Sequence, residues 1–221
     1  MGAQRRMDEG GDSRGGITAA LVRSLLAEQA PQWVDLPIVP VPVDGWDNRT
    51  YRLGDDLTVR LPSHQRYIAA VEKEDRWLPV LAPFLPVPIP EPVFMGEPSP
   101  AYAMPWSVRK WLPGEPASHD RVGDIVRFAE DVAGFLVALR NVDSAGGPTA
   151  GEHSFYRGCP PEWYDDETRR RLVELADRID VPAAQAIWEA ALASVWDSDP
   201  VWFHGDIAYG NLLVADGPCL G

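Results

Sequence analysis

Cysteine and histidine are both scarce. Cys159 and Cys219 are the only two cysteines in 221 residues, and they stand far apart with no metal-ligand spacing around them. That excludes a disulfide-stapled scaffold and points to a reducing, cytoplasmic setting. Four histidines, His64, His119, His153 and His204, are equally dispersed, which argues against a dinuclear metal hydrolase. No apolar run approaches membrane-spanning length, so a membrane partner is not expected. Positive charge is also short, with 20 Lys+Arg against 33 Asp+Glu and a formal net charge of -13. This balance argues against nucleic acid as a partner and is compatible with a small cationic one. Finally, neither Gly-x-x-x-x-Gly-Lys nor Gly-x-Gly-x-x-Gly occurs, so any phosphate-binding loop is of another kind.

What is present is the composition of a soluble globular protein, 45% hydrophobic and 24% charged. Residues 1–16, rich in Gly, Arg and Asp, read as a disordered tail rather than a signal peptide. A helix is expected over 17–29, where Leu21, Val22, Leu25 and Leu26 share one face and Pro31 ends the pattern. Strand-like segments follow at 38–43, 51–53 and 57–61, then a helix over 66–81. Pro79, Pro83, Pro86, Pro88, Pro90 and Pro92 mark an extended stretch, and 101–104 and 106–111 read as strands. The pattern breaks at 112–116, Leu-Pro-Gly-Glu-Pro, which is read as a hinge between a β-rich lobe over 17–111 and an α-rich lobe over 117–221. In the second lobe helices are expected over 124–141, 166–179 and 183–196, with an irregular polar-aromatic loop at 153–158.

The chemistry concentrates in His204-Gly205-Asp206-Ile207-Ala208-Tyr209-Gly210-Asn211, set between the apolar runs 201–203 and 212–214 and read as strand, tight loop, strand. An Asp and an Asn separated by four residues on one short loop can orient an attacking hydroxyl and hold a magnesium ion on a nucleotide. The spacing His-x-Asp-x-x-x-x-Asn is that of the protein-kinase catalytic loop, with Gly205 in place of Arg. Upstream, Arg60 closes a strand where kinases place a phosphate-binding Lys. Glu74 falls on the apolar face of the 66–81 helix with Ala70, Val71, Trp77, Leu78 and Leu81, whereas Glu72, Lys73 and Arg76 point away. A carboxylate on that face requires a partner, and Arg60 is the one expected. The polar loop 44–50, carrying Asn48 and Thr50, lies where backbone N–H groups and hydroxyls can meet phosphates. Trp111 and Leu112 are the candidates for backbone contacts to an adenine ring.

With these residues in view, the chain resembles the aminoglycoside phosphotransferase family, small-molecule and antibiotic kinases of the protein-kinase-like fold. The likeness rests on Gly45-Trp46-Asp47-Asn48-Arg49-Thr50, Val59-Arg60-Leu61-Pro62, Val71-Glu72-Lys73-Glu74, Trp111-Leu112-Pro113-Gly114-Glu115 and above all His204-Gly205-Asp206 with Asn211. It implies a bilobal α+β fold and ATP- and Mg2+-dependent phosphorylation of a hydroxyl on a small, often cationic molecule. Asp206 would be the catalytic base, Asn211 a magnesium ligand, and Arg60 and Glu74 the anchor of the phosphates. In the family the catalytic loop continues through a hairpin to a strand ending in a second metal-binding Asp; here the chain reaches Gly221 first, and Asp216-Gly217 reads as turn chemistry. From the sequence, the C-terminal lobe is therefore expected to be incomplete, with weak or no turnover. The alternative is a non-catalytic remnant that at most binds nucleotide.

Overall fold

The computed structural model describes residues 16–215. The expected tail before Gly16, the Asp216-Gly217 turn and Cys219 lie outside the described residues. The architecture is α+β. Helix α1 (Ala19–Gln29) opens it, capped by the Thr18 hydroxyl, which accepts from Leu21 N at 3.2 Å. Strands β1 (Ile38–Pro40), β2 (Asn48–Leu53), β3 (Leu57–Pro62), β4 (Pro92–Gly96) and β5 (Trp106–Lys110) form one antiparallel sheet in the order β1-β2-β3-β5-β4.

Side-chain alternation gives this sheet two unlike faces. Register pairs Thr50 with Arg60, Arg60 with Ser107, and Thr58 with Arg109, so these polar residues share one face. The opposite face carries Tyr51, Leu53, Val59, Leu61, Trp106 and Val108, all buried against Val22, Leu25 and Leu26 of α1. Tyr102, whose hydroxyl donates to Pro62 O, and Met104 complete that core. The apolar face holds the lobe together and leaves the polar face free to line a site.

Helix α2 (Ile68–Leu81) crosses the polar face. Contrary to expectation, Pro79 lies inside it. It stands exposed in the last turn, where it removes a single ladder bond rather than breaking the helix. The Pro-rich stretch ends in β4, an edge strand that begins with Pro92, as an edge permits. Residues 101–104 form a turn closed by a Ser99–Tyr102 bridge, and β1 stops at Pro40 because beyond it Val41 N still donates to Thr50 O at 3.2 Å but Thr50 N turns to Asp44 Oδ1 instead of returning the bond.

Helices α3 (Ile125–Asn141), α4 (Asp165–Glu174) and α5 (Val181–Leu192) make up the second half. Both α4 and α5 are shorter than their sequence periodicity suggests. Residues 175–179 form a turn, and Asp180 caps α5 by accepting from Ala183 N at 3.0 Å, with Pro182 in the first turn. A second core joins Phe135, Leu139 and Val142 to Leu81 of α2, with Leu85, Val87, Ile89 and Trp202 packed around it.

Residues 201–203 form no strand. They run along the end of α3, where Trp202 Nε1 donates to Asp143 O at 3.0 Å and Ser144 Oγ to Pro200 O at 2.6 Å. The expected hinge is partly a strand: β6 (Glu115–Pro116) pairs with β7 (Leu213–Val214), and Ala117 N donates to Leu212 O at 2.8 Å. The segment leaving the sheet is thereby tied to the residues that follow Asn211.

Two glycine substitutions separate packing from propensity. A Cβ on Gly96 would lie 2.0 Å from the Trp106 indole, so Gly96→Ala is expected to lower stability by about 1–3 kcal/mol. Gly134, inside α3 with nothing within 4 Å of its Cβ position, should gain about 0.5–1 kcal/mol as Gly134→Ala. Urea denaturation midpoints of the two variants measure both effects.

Candidate functional site

The polar face of the sheet, α2, the end of α3 and the loops at 144–158 and 204–213 enclose a cavity of about 1310 Å³, continuous through shared walls with a smaller one of about 480 Å³ beneath the 44–50 loop. Arg60, Asp47, Phe155, Arg157, Asp206 and Asn211 line both.

On the sheet side, Glu74 is the hub. Its Oε2 receives Arg60 Nη1 at 3.4 Å and Arg109 Nη2 at 2.7 Å, and Arg109 Nε reaches Ser107 Oγ at 3.2 Å. Arg109 is 2% exposed, so its charge depends on this partner. The Glu74 side chain keeps 30% of its surface, and it lines the cavity. Burial pushes its carboxyl pKa up; the Arg60 and Arg109 charges and the Arg109 hydrogen bond outweigh this and hold it below the ordinary carboxylate value.

The expected Arg60–Glu74 pair is present, but Arg109 was not anticipated as the closer partner. Alternation within Trp106-Ser107-Val108-Arg109 carried the signal, since it puts Arg109 on the face of Ser107 and Arg60. Lys73, expected to point away, lines the cavity and approaches His153 O with Nζ at 3.4 Å. Its long stem carries the ammonium around the helix edge.

Asn48 and Thr50 begin β2 and line the smaller cavity, with Asn48 buried. The loop before them is pinned from both ends. Asp44 accepts from Thr50 N at 3.1 Å and from Arg49 Nη1 at 2.9 Å, while Ser63 N and Oγ donate to Asp47 O and Trp46 O, each at 2.8 Å. Asp47 is a further residue the sequence did not single out. Burial raises its carboxyl pKa, while Tyr67, Arg60 and Arg157 pull it back. Of the two candidates for adenine contact, Leu112 lines the cavity. The Trp111 N–H already donates to Asp56 O at 2.8 Å and its ring lies under Arg52, so its amide is occupied.

Across the cavity, the 204–211 loop is an irregular turn entered through Gly205 at φ 77°. Asp206 N donates to His204 Nδ1 at 3.2 Å, and Asn211 Nδ2 donates to Asp206 O at 2.9 Å. Asp206 and Asn211 are thus coupled through the backbone, and the Asn211 amide oxygen remains as its acceptor for a cation. His204 is exposed as a residue, yet its ring meets Phe135 edge-on at 6.2 Å. Burial there lowers its pKa against the pull of Asp206, which agrees with Nδ1 accepting a hydrogen bond.

No group of three or more His, Cys, Asp or Glu able to hold a metal occurs among the described residues. One amide oxygen beside one carboxylate suits magnesium that arrives with phosphates and water, since that ion is held by few protein ligands. When bound, such an ion neutralises phosphate charge. Among the described residues no helix is long and apolar enough to cross a membrane.

A folded-state pKa below the ordinary 4.5 makes ionised Glu74 a source of stability that is full above that value and is lost as pH falls through the lower folded value. Glu74→Gln is expected to cost about 1–3 kcal/mol near neutral pH by leaving its cations short of a partner. The gap between variant and wild type should narrow below pH 4.5 in denaturant titrations. A gap that does not change with pH would contradict the assignment.

Comparison with known proteins places the chain. A model of the phosphotransferase enzyme family matches residues 38–221. No curated protein sequence matches at a significant level. Among solved structures, an aminoglycoside 2'-phosphotransferase-IIIa mutant with GDP is 18% identical with a TM-score of 0.68, over 89% of this chain and 66% of that one. The enzyme APH(2")-IIa in a ternary complex with streptomycin and ATP is 15% identical, TM-score 0.60, over 92% and 68%. A macrolide 2'-phosphotransferase from Brachybacterium faecium, solved without ligand, is 23% identical, TM-score 0.55, over 89% and 68%. The chain therefore spans about two thirds of the length of these proteins. Likeness at such identities shows the fold, the bilobal kinase-like arrangement of a β-rich lobe and an α-helical one. The family match covers most of the sequence and, with that fold, establishes that the chain belongs to the phosphotransferase enzyme family.

Proposed function

We propose that the protein transfers the terminal phosphate of ATP to a hydroxyl of a small molecule, with Asp206 accepting the hydroxyl proton and Asn211 holding magnesium. The observation that carries this reading is the convergence on one cavity of the Asp206–Asn211 pair and the Glu74-braced Arg60. Arg60, with the backbone around Asn48 and Thr50, would receive the phosphates. Leu112 would face the base, with Trp111 contributing its carbonyl at most. Arg is an always-charged fork that can bridge two phosphate oxygens, which suits Arg60 to that task though not as a geometric copy of Lys. The lobes would divide at residues 112–116, and a cytoplasmic setting would supply the nucleotide.

Support for a small-molecule acceptor comes from the relatives, whose structures hold GDP, ATP and streptomycin. An aminoglycoside-like or other cationic acceptor is the proposed class for this chain. Bound to this cleft, the acceptor hydroxyl would lie beside Asp206, whose proton-accepting carboxylate is partly exposed and stands in an ion pair rather than in a dry pocket.

The test begins with thermal unfolding in the presence of magnesium and ATP. A ligand at about a hundredfold its dissociation constant adds about 2.7 kcal/mol to the folded state. Stabilisation that requires magnesium and disappears in Asn211→Ala is the expected outcome. Asp206→Asn should retain that stabilisation and lose phosphotransfer by about 100-fold or more, measured as ADP release with a panel of hydroxylated amines. Nucleotide stabilisation with no transfer to any acceptor would favour a binding protein without catalysis.

A further inference from the structure

Residues 151–158 lie against the catalytic loop in a conformation that local forces alone would not choose. Phe155 and Tyr156 both have positive φ, at 52° and 63°, and Gly158 follows at 90°. Two consecutive aromatic residues in the left-handed region cost about 1–3 kcal/mol each and persist only where the surroundings fix them. Here they do: Tyr156 N donates to Gly151 O at 2.8 Å, Tyr164 Oη to Phe155 O at 3.2 Å, and Tyr156 stacks on Trp163 at 4.0 Å. A Cβ on Gly158 would lie 2.5 Å from the Phe203 ring, and one on Gly205 2.9 Å from the same ring, so the two loops close around Phe203.

The product of this arrangement is the placement of Arg157. Its Nη2 is 3.3 Å from Asp206 Oδ2, its guanidinium lies over Phe155 at 5.5 Å, and it lines both parts of the cavity with Arg60 and Asp47. The pair is half exposed and therefore weak, so it can be exchanged for a better anion. We propose that Arg157 is the residue that binds the terminal phosphate of the nucleotide, leaving Asp206 free when that phosphate is present.

This deepens the phosphotransfer reading and rests on it. In the transfer, the acceptor oxygen bonds to the terminal phosphorus, its proton passes to Asp206, and the bond from phosphorus to the diphosphate oxygen breaks with its electron pair leaving on ADP. The guanidinium of Arg157 would stand at the oxygens of the phosphoryl group in flight, where a cationic fork offsets their charge. Without nucleotide, Arg157 would serve as the counter-ion of Asp206.

Calorimetric binding of ADP and of a non-hydrolysable ATP analogue, both with magnesium, tests the assignment in the full chain. Arg157→Ala is expected to weaken the ATP analogue about tenfold more than ADP, with Arg157→Lys in between, because only the analogue carries the phosphate that Arg157 meets. Equal weakening of both ligands, or of neither, in variants that melt like wild type overturns the proposal while leaving nucleotide binding intact. Wild-type protein that binds neither ligand overturns the phosphotransfer reading, and the role of Arg157 with it.

Discussion

The bridge from Glu74 to Arg60 and Arg109 is the constraint on which the site depends. It ties α2 to the polar face of the sheet by charge, at a place where apolar packing could not do so without closing the cavity. Arg109 is buried and cannot be left alone, so Glu74 must stay ionised and in place. With Glu74 fixed, Arg60 is held at the cavity wall rather than free to fold back on the strand. The apolar stability of this half comes from the other face of the sheet, against α1. Division of labour between the faces lets the inner one stay polar, at the cost of a buried charge network.

The opposite wall is fixed by backbone geometry instead. Gly205 takes a conformation that side-chained residues rarely adopt, and the Phe203 ring sits where any Cβ on Gly205 or Gly158 would be. The Asn211 side-chain amide donates to the carbonyl of Asp206, so the two candidate site residues of this loop keep their relation through that bond. The β6–β7 ladder then joins this loop to the segment that leaves β5. Sheet and 204–211 loop are thus linked on both sides of the cavity, by the second core through Leu81 and Phe135 and by this ladder.

Much of this was legible in the sequence because the signals were local. Helical period put Glu74 inward, the strand reading brought Arg60 opposite it, and the His-Gly-Asp spacing with Asn211 marked the loop. The misses share a different cause. Arg109 could be paired only by knowing that β5 lies beside β3, a non-local register. Residues 201–203 have a strand's composition, yet Trp202 found its partner at the end of α3. Asp47 and Arg157 sit on loops whose sequence carries no period at all. Arg157 reaches Asp206 through two aromatic residues at positive φ, a backbone state that composition does not announce. Pro79 reversed a sound rule, because a proline in the last exposed turn disturbs little.

Charge is where whole-chain and local readings part. The sequence carries 33 acidic against 20 basic residues, a balance that suits an approaching cation. Inside the cavity the balance inverts: Arg60, Lys73, Arg109 and Arg157 face Asp47, Glu74 and Asp206. Glu74 is already committed to two of those cations, and burial raises the Asp47 pKa above that of an exposed carboxylate. What remains is a surplus of positive charge on the sheet and the 151–158 loop, directed at one space. Under the proposed function, this surplus would receive the anionic phosphates of the nucleotide. A cationic acceptor, if it is drawn by the outer field, must then be held by the anion it is about to receive and by Asp206.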